Sequence, residues 1–136
     1  MKSLVKSAVK TALVLGLVAV PTWALAWRAM NGFDVVPIGD NRIEVLSRGN
    51  SAAQSFWCAA GHYARGPMRS AATQRIYVSK AVGNSSTSPG RRAVQFSFAP
   101  PAGADTSTGF SVSVTRVGDN MNAATAQNYC YDRLLF

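Results

Sequence analysis

Cys58 and His62 stand four residues apart, one helical turn, so their side chains meet if the segment between them is helical. An imidazole beside a free thiol lowers its pKa and produces the thiolate that cysteine hydrolases and transferases use as nucleophile. This is the one sharp catalytic candidate, and it lacks an orienting group for the imidazole and an oxyanion site. The opposing reading pairs Cys58 with Cys130, the only other cysteine, in a disulfide. A metal centre is short of ligands, because one histidine and two cysteines fall below the three or four that zinc requires. No cofactor is expected. Asp40, Asp105 and Asp119 neighbour turn residues, where aspartate ordinarily bonds its own backbone rather than working as one of a catalytic carboxylate pair. No Walker loop, Gly-x-Ser-x-Gly elbow or dinucleotide fingerprint occurs.

A second constellation is cationic. Arg65, Arg69 and Arg75 bracket the exit from the main predicted helix, and together with Lys80, Arg91 and Arg92 they form an anion-binding patch if the strand order brings them together. Arg91-Arg92 is the only adjacent basic pair, and the scatter of the remainder offers no basic helix or aromatic-basic stripe of the kind that binds nucleic acid. The partners expected are an envelope protein or an anionic envelope polymer.

The compartment follows from the first 26 residues. Lys2, Lys6 and Lys10 precede an apolar run at residues 11–20, then Pro21 and the small-residue ending Ala24-Leu25-Ala26. That is the layout of a secretory signal peptide, and its apolar run is well short of the roughly 20 residues that span a bilayer. The expected mature chain is a single exported domain over residues 27–136, periplasmic or secreted, with no transmembrane segment. Three of the 14 basic residues leave with the signal, so the remainder, set against 6 carboxylates, gives +5. An oxidising compartment favours the Cys58–Cys130 bond, which would stabilise the fold by about 4 kcal/mol on the chain-entropy estimate.

The elements that must position these residues read as α+β. Phe33, Val35 and Ile38 begin an extended run, Gly39-Asp40-Asn41 turns it, and Ile43 and Val45 alternate with Arg42 and Glu44, which predicts a β-hairpin. Asn50 or Ser51 offers an N-cap to an alanine-rich helix over 52–65 that ends at Gly66-Pro67. At 100° per residue Phe56, Ala59, Ala60 and Tyr63 share one face with Trp57 beside it, and Cys58, His62 and Arg65 fall on the other. Strict alternation predicts strands over 75–82, 93–99 and 110–117, each with one apolar face. The serine-rich connection 83–90 and the Pro-Pro connection 100–109 read as mobile surface loops, and 122–129 as a short helix delivering Cys130. The expectation is an antiparallel sheet of about five strands, one main helix on its apolar face, one disulfide, and the other sheet face in water.

The segment Phe56-Trp57-Cys58-Ala59-Ala60-Gly61-His62-Tyr63-Ala64, with Arg75-Ile76-Tyr77-Val78 and Pro89-Gly90-Arg91-Arg92-Ala93-Val94, resembles an uncharacterised group of small exported alphaproteobacterial proteins. The resemblance spans nearly all of residues 27–136. It implies a bacterial envelope setting and a single domain, and it transfers no activity and no site residues.

Overall fold

A computed structural model describes residues 25–109 and 111–132; the predicted signal segment up to residue 24 and the apolar end at 133–136 lie outside the described residues. Among the described residues six strands form one antiparallel sheet: β1 (Trp27–Arg28), β2 (Asp34–Gly39), β3 (Arg42–Leu46), β4 (Arg75–Asn84), β5 (Arg92–Ser97) and β6 (Asn120–Asn122). Their order across the sheet is β1-β2-β3-β5-β4-β6. Helix α1 (Ala53–Arg65) lies between β3 and β4 in the chain, and α2 (Ala123–Asn128) follows β6.

Register explains why alternation was informative. Val35 faces Val45, Ile43 faces Phe96, and Val45 faces Val94, so the apolar members of three strands stack on one side, with Val78 joining through Phe96. Phe56 and Trp57 of α1 pack there, each fully buried, with Trp57 4.9 Å from the Phe96 ring centre. The α+β class, the main helix and the Cys58–Cys130 bond all stand as expected. The sulfurs are 2.07 Å apart and close a separation of 72 residues.

The helix is more enclosed than its amphipathic pattern implies. Cys58 and Gly61 are buried too, because α2 covers the side of α1 away from the sheet. A Cβ on Gly61 would lie 2.3 Å from the backbone nitrogen of Gln127, so only glycine permits this approach of the two helices. The helix starts at Ala53 with Ala52 as its cap and no side-chain cap bond; Asn50 instead accepts a hydrogen bond from the Ala52 N–H.

Three expectations need correction. The predicted strand at 110–117 does not form among its described residues, 111–117. The Ser113 hydroxyl accepts a hydrogen bond from the Thr115 N–H, and Arg116 grips Asp119 and Asp105, so local side-chain bonds turn the chain out of an extended ladder. Val114 still packs in the core, and its carbonyl accepts from the Val82 N–H, but β6 takes the edge beside β4. The second correction is the strand count, six rather than about five. The added β1 is short for a clear reason. Ala29 N–H donates to Phe33 and Trp27 lies opposite Val35, so the next bonded pair outward would need an N–H from Pro37, which has none. The third is that the connection after β4 is fastened to the sheet, as described next.

Candidate functional site

The sheet face opposite α1 carries the chemistry. Directly paired residues share a face, so Val36, Glu44 and Gln95 line up across β2, β3 and β5, while Asp34 sits opposite Leu46 and Arg42 opposite Ser97. The serine-rich connection folds back over this face. Glu44 is 1% exposed and collects donors from it: the hydroxyls of Ser86 and Thr87 at 2.7 and 2.6 Å, their N–H groups at 3.1 and 3.2 Å, and the Ser85 hydroxyl. The Gln95 amide donates at 3.1 Å. Burial alone would raise the Glu44 pKa, but the hydroxyls of Ser85, Thr87 and Ser86 and the Gln95 amide outweigh it and hold the carboxyl at about 2.

Asp34 is the second buried carboxylate on this face, and its partners are cations. Arg91 donates to Oδ2 at 2.9 Å, Arg48 to the same oxygen at 3.3 Å, and Arg28 to Oδ1 at 3.4 Å. Burial pushes the Asp34 carboxyl up, and the bonds from Arg91, Arg48 and Arg28 bring it below the usual range. Arg91 is anchored further by a bond to the Ser47 carbonyl at 2.8 Å and is 29% exposed. Arg28 and Arg48 are 62% and 52% exposed and each spends a single N–H on Asp34. A guanidinium has five N–H donors, so both present most of theirs to solvent. Three positive charges meet one negative charge, and the surplus faces outward.

Between this cluster and Arg42 runs a groove of about 830 Å³, floored by Val36 and Ile38, with Pro37 at its rim, and walled by Ser86, Thr87 and Gln95. Arg91 and Arg42 both line it.

The arginines expected to form one patch divide into two groups. Arg65 donates to the Ser70 carbonyl at 2.6 Å just beyond α1, Arg69 follows with a φ of 52°, and Arg75 opens β4 and bonds Asn120. Arg92 pairs with Asn84 at the other end of β4, with Arg91 next to it, and Lys80 lies between the two ends opposite Gln95. Register shifts shorten β4, whose stretch from Tyr77 to Asn84 covers only the run from Ser97 to Arg92 on β5, so its ends lie roughly 23 Å apart. Strand order therefore brings Arg91 together with Arg28 and Arg48, which sequence reasoning missed, and not with Arg65, Arg69 or Arg75. The available signal was weak: Arg28 and Asp34 flank a glycine-bearing turn, but nothing local points to Arg48 or Arg91.

Cys58 and His62 have other work. With its sulfur bonded to Cys130, Cys58 offers no free thiol. The His62 Nδ1 accepts a hydrogen bond from the Met30 N–H at 3.0 Å, and its ring meets Trp27 at 4.6 Å, so it fastens α1 to the β1–β2 turn. Burial lowers its pKa and favours the neutral ring that this acceptor role needs. No family model, curated protein or solved structure matches the chain.

Proposed function

We propose that this chain is an exported, non-enzymatic binding domain of the bacterial cell envelope, released by cleavage before Trp27, that engages anionic envelope polymers through Arg28, Arg48 and Arg91. The reading is supported by the signal-like residues 1–26, by a disulfide of the kind that persists in oxidising compartments, and by the positive balance of the remainder. The observation that carries it is the gathering of three guanidinium groups on the single carboxylate of Asp34. The carboxylate fixes their positions and cancels only one charge, which leaves preorganised donors for an incoming anion.

The test is retention of the purified domain on phosphocellulose as salt is raised. The double variant Arg28→Gln/Arg48→Gln should elute at markedly lower salt than the native protein, whereas Arg65→Gln/Arg69→Gln, at the end of α1 and outside the Asp34 cluster, should lose only the smaller shift expected of general charge. Equal losses in the two variants would reduce the interaction to net charge and end the reading. Intact mass of the exported protein, starting at Trp27, checks the address.

A further inference from the structure

The groove beside the arginine cluster has a second cationic end. Arg42 lines it, and its guanidinium holds no hydrogen bond and no ion pair among the described residues. Arg42 is four strand residues from Leu46, which lies opposite Asp34, so the backbone of Arg42 and that of Leu46 beside the Asp34 cluster are separated by roughly 13 Å along β3. Between them the floor is the apolar pair Val36 and Ile38, and the wall is Ser86, Thr87 and Gln95, whose donors are spent on Glu44 and Ser86 and whose oxygens remain to accept from a ligand's hydroxyls.

A single small anion uses one end and leaves the other idle. Two cationic ends with an apolar floor and a hydroxyl-amide wall between them suit an elongated ligand bearing separated negative charges, flat carbon-rich faces and many hydroxyl groups. We infer that the groove binds a segment of an acidic polysaccharide, with one acidic group at Arg91 beside Arg28 and Arg48, another at Arg42, and the intervening sugar rings over Val36 and Ile38. This rests on the anion-binding reading above and specifies the polymer's class.

An acidic peptide is the main rival, and the sheet edge argues against it. A peptide strand would join β2 beyond the end of β1, where Pro37 cannot donate the hydrogen bond that continues the ladder. The Glu44 bonds also hold the hydroxyl wall in place before any ligand arrives, as a preformed sugar site requires.

The test is calorimetric titration of the disulfide-bonded domain at low salt with galacturonate, its oligomers of two to six units, hexaglutamate and inorganic phosphate. Affinity should rise with oligomer length and level off once a chain spans the two ends. Arg42→Gln should cost the longer oligomers about tenfold, the loss of one charge-assisted contact, and phosphate and the monomer, which also have the Arg91 end, less than about threefold. Arg48→Gln should weaken every ligand. The glycan assignment fails if length brings no gain, or if hexaglutamate binds as tightly as the hexamer and responds equally to Arg42→Gln. If phosphate binds with an Arg48 dependence and length has no effect, the anion-binding reading survives without the polysaccharide. If phosphate, oligomers and hexaglutamate all fail to bind, both fall.

Discussion

Glu44 and Asp34 are carboxylates on adjacent strands and the same sheet face, both buried and both held below their ordinary pKa, yet they do opposite things. Glu44 is surrounded by neutral donors: three hydroxyls, two backbone N–H groups and an amide. Every donor is spent inward, and the result is a loop fixed to the sheet. Asp34 is surrounded by guanidinium groups with more donors and more charge than it can absorb. The difference teaches how to tell a carboxylate that builds from one that organises a binding surface: the second leaves its partners unsatisfied at the solvent edge.

The largest effect that separates the two should come from neutralising each in turn. Glu44→Gln forces an amide N–H₂ against donors and should destabilise the domain by roughly 3 kcal/mol in urea unfolding, with little dependence on salt. Asp34→Asn should cost only about 1 kcal/mol, because Arg28 and Arg48 are largely hydrated already, and that cost should shrink as salt screens the remaining ion pairs. Equal costs with equal salt dependence would erase the distinction.

Acid should act on Glu44 in the same direction. Its folded pKa of about 2 lies below the ordinary 4.5, so the folded state holds its proton less tightly than the unfolded chain does. The contribution is complete above about pH 4.5 and is lost as pH falls toward 2, roughly 3 kcal/mol across the window. Hydrogen exchange at the Ser86 and Thr87 amides should accelerate in that window. Protection that persists at pH 2 would mean that the loop is held by something else.

For binding, the comparison reverses. Asp34→Asn removes the one negative charge competing with a ligand and should tighten phosphate binding several-fold at low salt, a change of about 1 kcal/mol or less. Glu44→Gln, in variants that remain folded, should not tighten it. Weaker binding in Asp34→Asn would show instead that the carboxylate's positioning of the arginines outweighs its charge.

The contrast also marks where sequence reasoning stopped. Alternation at Ile43/Val45, Ile76/Val78 and Val94/Phe96 made three central strands and their buried face legible, because a two-residue period has one physical cause when a strand is half buried. The same alternation at Val112 and Val114 misled, since hydroxyl bonds at Ser113 and the Arg116 grip on Asp119 act locally against a ladder. The two-residue β1 is too short to carry a period, and its limit is set by a proline on its partner. Glu44 was visible as a polar-face residue and Ser85 to Thr87 as a hydroxyl-rich loop, but their meeting depends on β3, β5 and β4 being neighbours. The arginine cluster depends on strand order in the same way: Arg91 was singled out, whereas Arg28 and Arg48 carried no mark of their own.

The smallest expected effect tests whether hydroxyls on this sheet matter by their type or by what they face. Ser79 lies between Val78 and Lys80, where β4 bulges against β5, and its buried hydroxyl has no hydrogen-bond partner among the described residues. A buried hydroxyl without a partner has given up hydration for nothing, so its removal returns a desolvation cost rather than losing a bond. Ser79→Ala should therefore leave stability within about 0.5 kcal/mol of native, on the stabilising side. Thr87→Val, which takes from the Glu44 carboxylate the hydroxyl of a more exposed residue, should still cost about 1.5 kcal/mol, because the bond lost is to a charge. Urea unfolding of the two variants side by side decides the point. A destabilised Ser79→Ala would reveal a buried water serving that hydroxyl, and a neutral Thr87→Val would show that Glu44 is held well enough by its other donors to make the loop's hydroxyls redundant.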